Sequence, residues 1–168
     1  MEKHEPWPDT IKKFFHEAAD TNPYATSATM RAYDQQLRNA MRAALSEAAA
    51  SWRTVAGDYA QSIPQPNRQN PFPPAEQIQH LKVLKYYADL LSQLSSEVSA
   101  LEVPATDRVY HRVQNATLLL ETVIEVDRAL LLLMPGLIAC REIPDLDDRL
   151  RVLQNKLQER RQLLRDIP

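Results

Sequence analysis

The sequence predicts an all-α protein: an elongated up-and-down bundle of about four long helices with a short helix before them. Three observations lead there. The 168 residues hold two glycines, against 22 leucines and 20 alanines. Glycine costs a helix about 1 kcal/mol per position relative to alanine, so this balance is what helices favour. The twelve prolines are gathered into short stretches that leave four long proline-free windows. Within each window apolar residues recur every three or four positions, the helical period. Two glycines cannot supply the turns of a sandwich or barrel, nor a Gly-rich phosphate loop.

The windows run from Tyr24 to Ile63, Ala75 to Val103, Ala105 to Met134 and Asp145 to Ile167. Proline inside a helix costs about 3 kcal/mol and biases the residue before it away from helix, so each window marks one helix. A shorter helix is expected at about Asp9 to Asp20, bounded by Pro8 and by Asn22-Pro23. The first long window carries the stripe Met30, Tyr33, Leu37, Met41, Leu45, Ala48, Trp52, Val55 and Tyr59. The second opens after Pro74, a favoured residue at a helix start, and carries Ile78, Leu81, Leu84, Ala88, Leu91, Leu94, Val98 and Leu101. A short link to the third window makes those two helices antiparallel neighbours in expectation.

The third window has Thr106-Asp107 as cap candidates and two apolar rows. One is Ala116, Leu119, Val123, Val126, Leu130, Leu133 and Leu137; the other is Leu120, Ile124 and Leu131. Two rows predict the most buried helix, with Pro135-Gly136 kinking or ending it. The last helix starts at Pro144-Asp145, with Asp147 and Asp148 early and Arg160, Arg161 and Arg165 late, complementing the helix dipole. Its seam reads Leu146, Leu150, Leu153, Leu157, Arg160 and Leu164, an arginine standing where a leucine is expected. That seam either closes the bundle or forms a coiled-coil interface with a partner. A 30-residue helix is about 45 Å long, too long for a globin-like ball, hence the elongated single domain spanning residues 1–168.

Charge and cysteine narrow the setting. Twenty basic against twenty-two acidic residues give a net charge of −2, whereas dedicated nucleic-acid binders are usually more basic. The single Cys140 excludes an internal disulfide framework and a multi-cysteine zinc site. The most apolar stretch, Ala116 to Cys140, carries Glu121, Glu125, Asp127 and Arg128 near its middle, which argues for a core helix over a membrane span. Met1-Glu2-Lys3-His4-Glu5 has no apolar run of the signal-peptide kind, and the expectation is a cytoplasmic protein.

Candidates for chemistry are few. Glu76 with His80, and Asp107 with His111, pair at i,i+4 on helix faces, but di-metal bundles use Glu-x-x-His with further glutamates, so no metal and no cofactor are expected. Cys140 beside Arg141 lacks a histidine close in sequence and reads as packing. Asp127, inside the most apolar helix, needs a partner or must shift its pKa; the alternatives are a ligand or proton site, a register-fixing ion pair, or an edge position reaching water. The connector 64–74, with five prolines, is extended in expectation and contains Arg68-x-x-Pro71-x-x-Pro74, a pattern that SH3 grooves read.

The strongest surface feature is a strip of Arg31, Arg38, Arg42 and Arg53, spaced 7, 4 and 11 and falling within about 60° on the helical wheel. Asp34, Glu47 and Asp58 lie off that strip, although Asp34 can pair with Arg38 at i,i+4. The strip is the candidate polyanion-binding surface, the alternative being an ordinary helix flank that snorkels and pairs. From Arg149 onward six basic and two acidic residues add a weaker basic area.

In size and class the chain resembles helical assembly subunits, among them the small helical subunits of CRISPR effector complexes, a likeness of architecture that no motif carries. Two functions follow as expectations. The first is a non-enzymatic helical scaffold or adaptor acting through protein–protein contacts, with a protein partner or self-association. The second is a helical subunit contacting a nucleic-acid backbone through the arginine strip inside a larger complex. Neither a membrane nor a small-molecule substrate is expected as a partner.

Overall fold

Four helices, α1 Ser27–Ser62, α2 Ala75–Ser99, α3 Thr117–Ala139 and α4 Ile143–Arg165, make up the regular structure. The computed structural model describes residues 27–69, 71–101 and 117–165, and only the backbone at 27–31, 117–121, 124, 164 and 165. No strand occurs among the described residues. The expected short helix at Asp9 to Asp20, the caps Thr106-Asp107 and the pair Asp107 with His111 lie outside them.

Prolines set the boundaries much as the local rules require. Helix α1 stops at Ser62, two residues before Pro64, and α2 starts directly after Pro74, whose φ of −55° and ψ of 129° are those of an extended residue. Helix α1 has 36 residues, so it is about 54 Å long. Between α1 and α2 the connector is exposed, with Asn67 Oδ1 accepting from the Gln69 N–H at 2.9 Å.

Pro135 does not end its helix. Helix α3 continues to Ala139, four residues further. The missing N–H removes one backbone bond, and Pro135, Gly136 and Leu137 are buried, so packing offsets the loss. Gly136 has a packing role of its own: a Cβ there would run into the guanidinium of Arg149 on α4.

The principal packing joins α1 to α2, α1 to α3, and α3 to α4. Directions follow from the pairs that meet. Ser46 faces Ser95 and Tyr59 faces His80, so α1 and α2 run antiparallel. Asp127 meets Arg160 and Gly136 meets Arg149, so α3 and α4 do too. Arg160 also reaches Asp34, while Asp147 near the start of α4 meets Tyr87, which stacks near Trp52. Helix α4 is therefore antiparallel to α1, and the chain runs up, down, up, down.

One expectation about neighbours needs correction. Helices α2 and α3 run antiparallel, as the short link predicts, but they are not principal neighbours: among the described residues α3 packs chiefly on α1 and α4. The physical reason is the width of its apolar arc. Val123, Val126, Leu130, Leu131, Met134 and Leu137 are all buried, and so wide an arc needs a partner on each side. Helix α1 supplies one through a buried band that includes Leu37, Met41, Ala44, Leu45, Ala48 and Trp52. Helix α4 supplies the other through Leu146, Leu150, Leu153 and Leu157, all buried. No helix of the described residues is long and apolar enough to cross a membrane.

Candidate functional site

The most unusual chemistry lies inside the bundle. Asp34 and Asp127 are 1% and 0% exposed and Arg160 is 3% exposed, burial that charged side chains rarely reach unless paired. Each comes from a different helix: Asp34 from α1, Asp127 from α3, Arg160 from α4. The Arg160 guanidinium donates from Nε to Asp127 Oδ1 at 2.7 Å and from Nη2 to Asp34 Oδ1 at 2.8 Å. These are short, charge-assisted bonds, and the planar fork of arginine lets one cation hold two carboxylates.

The network continues outward. Asp34 Oδ2 lies 2.9 Å from Arg38 Nε, an ion pair one helical turn apart whose angle falls short of a hydrogen bond. Arg38 then donates to the carbonyls of Ser99 and Leu101 at 3.5 and 3.4 Å, at and just past the end of α2. Two carboxylates and two guanidinium groups thus link all four helices at one end, with formal charges that balance. The Tyr33 phenol hydrogen-bonds to Asp127. Burial, and after it the Asp127 carboxylate, hold that phenol well above the usual tyrosine range.

This arrangement binds helices. The charged groups of Asp34, Asp127 and Arg160 are buried and held by one another, and a side chain removed from among them leaves a poorly compensated charge in the core. Of the alternatives the sequence leaves open, Asp127 stands in an ion pair, with Arg160. Asp34 carries a signal of its own: it precedes Leu37 by three and Met41 by seven, which places it on the buried arc. Its partner lies 126 residues away, beyond the reach of any local pattern.

The arginine strip divides. Arg38 is taken up as described, and Arg53 donates to Ser92 Oγ on α2. The Arg42 side chain is exposed and makes no ion pair or hydrogen bond among the described residues, while the side chain of Arg31 lies outside them. Ala49, on the same strip, is fully buried. The strip thus runs along the α1/α2 joint, where Ser46 and Ser95 also share a hydrogen bond of 2.9 Å. The seam Leu146, Leu150, Leu153, Leu157 and Arg160 is buried within the same chain and closes the bundle; the side chain of Leu164 is not among those described.

His80 packs edge-on against Tyr59, with ring centroids 4.7 Å apart. No group of three or more metal-binding side chains forms among the described residues. Cys140 is buried, its Sγ 3.3 Å from Asp145 Oδ2 and 3.4 Å from the Glu142 carbonyl. Burial, and then the hydrogen bond to Asp145, push its thiol pKa up, away from the reactive thiolate. Comparison with known proteins finds no matching family model, no matching curated protein and no matching solved structure.

Proposed function

We propose that this chain is a non-enzymatic helical scaffold or adaptor subunit that works through protein–protein contacts in a cytoplasmic setting. The observation that carries the reading is the far end of the α1/α2 hairpin. Asp147, one turn into α4, lies level with Tyr87 through the bond between them. Past the start of α4, α1 and α2 run on for about two turns, or about 10 Å. This end of the hairpin and its connector display Phe72, 83% exposed, and Tyr86, 59% exposed, with Tyr59 and Leu81 half-buried beside the core. Exposed aromatics are what partner surfaces use as anchors, and burying a phenylalanine fully is worth about 1.5–3 kcal/mol.

The nucleic-acid reading draws less support. Arg38 and Arg53 are engaged in the α1/α2 joint, which leaves Arg42, among the described side chains, as the strip cation not bonded to α2.

The test compares wild type with a Phe72→Asp/Tyr86→Asp variant in native mass spectrometry and crosslinking of complexes recovered from the source cell. The expected result is loss of a defined protein partner while circular dichroism shows the fold intact. An unchanged partner set, or recovery of nucleic acid that Arg42→Glu removes, overturns the reading.

A further inference from the structure

The receptor for Arg160 is built entirely by other helices. Asp34 belongs to α1 and Asp127 to α3, and α3 is the helix on which α4 chiefly packs. A helix that fills this receptor must bring leucines at the positions of Leu146, Leu150, Leu153 and Leu157 and a guanidinium one turn further on. Any other apolar helix deprives two buried carboxylates of the guanidinium they share. A helix shifted in register brings the guanidinium to a hydrocarbon wall. The chemistry that fits is therefore that of α4 itself.

The tether of α4 is short. Three residues, Cys140, Arg141 and Glu142, separate α3 from α4. The turn is held shut by bonds of its own. Cys140 Sγ lies 3.3 Å from Asp145 Oδ2 across the turn, and Arg141 Nη1 donates to the carbonyls of Ile138 and Cys140, each at 2.8 Å, at the end of α3. Opening the turn forfeits those hinge-local bonds. Every contact between α4 and its receptor is regained when the α4 of another molecule docks in the same place. That is the condition for exchange of an element between identical chains, and short hinges favour it.

We propose that α4 is exchangeable between two copies of this chain, giving a dimer in which the Arg160 of each copy sits between Asp34 and Asp127 of the other. The proposal deepens the protein-contact reading above: the partner is a second copy and the joint is coded by charge. The closed monomer and the exchanged dimer share one core and differ at residues 140–142, so hinge length sets the balance between them.

The experiment uses the full chain and reads mass by light scattering after gel filtration, following incubation at concentrations up to about 1 mM. Wild type is compared with a variant lacking Arg141 and with one carrying a Gly-Ser-Gly-Ser insertion after Arg141. The expected result is a slowly forming dimer in wild type that the insertion lowers, and the deletion raises, by about ten-fold. If the deletion variant does not fold, a wild-type dimer that the insertion abolishes supports the proposal. It is overturned by a dimer indifferent to hinge length. It is equally overturned by a wild type that stays monomeric while the deletion variant is monomeric or unfolded. Neither outcome touches the test at Phe72 and Tyr86, so the two readings fail separately.

Discussion

Two helix pairs carry this bundle, and their contact surfaces are made of different materials. Between α1 and α2, small buried side chains such as Ala49, Ala88 and Ser95 let the helices approach, and polar bonds sit along the flank: Ser46 to Ser95, Arg53 to Ser92, Arg38 to the end of α2. Between α3 and α4 the surface is a run of leucines interrupted by one arginine that is 3% exposed. Arg53 and Arg160 look alike as letters, each on a helix flanked by apolar residues. One sits where water can replace its partner and the other where nothing can. The difference teaches that an arginine's worth here is set by its depth, because the cost of stranding a charge grows as water is excluded.

The largest effect expected of this contrast comes from breaking the buried joint. Arg160→Ala should lower stability by about 3–5 kcal/mol, the range for removing one partner of a buried ion pair. Arg53→Ala should cost under about 1 kcal/mol, as exposed polar links do. Urea unfolding of the two variants checks this, and equal losses would remove the distinction between the two surfaces.

A sharper form replaces the whole joint. The triple variant Asp34→Leu/Asp127→Leu/Arg160→Met should recover wild-type stability or exceed it by about 1–4 kcal/mol, because hydrophobic substitutes avoid the desolvation cost. If the charges serve register, hydrogen exchange in α4 should be less uniform in this variant although its melting temperature is higher.

A smaller loss is expected on the other surface. Ser95 lies 2.9 Å from Ser46 Oγ and 3.2 Å from the Arg42 carbonyl, so Ser95→Ala should cost about 1 kcal/mol, the net value of a neutral hydrogen bond. Thermal unfolding measures it.

The smallest effect concerns pH at the α3/α4 turn. The folded state raises the Cys140 thiol pKa, chiefly through burial. A raised folded value favours the protonated form, so its stabilisation is complete below the ordinary thiol pKa and fades as pH climbs through the folded value. Alkylation of Cys140 by iodoacetamide near pH 9 should therefore be slower in the native protein than in urea; equal rates would show a thiol that the fold leaves open.

These contrasts also separate what was legible in the letters from what was not. The sequence by itself determined that this is a helical protein and where α1, α2 and α4 lie. Proline lacks a backbone donor, and apolar residues repeat with the helical period; both are local facts that hold before any two helices meet. It also flagged Asp127 and Arg160 as out of place, a carboxylate in an apolar helix and a cation in a leucine seam. Tertiary structure alone decided that they belong together and that Asp34 completes them. The same holds for Pro135, carried through by packing on neighbouring helices, and for Arg38 and Arg53, engaged by α2. In each case the deciding energy depends on distances between residues far apart in the chain and on how much water their meeting excludes, and neither quantity exists until the helices pack.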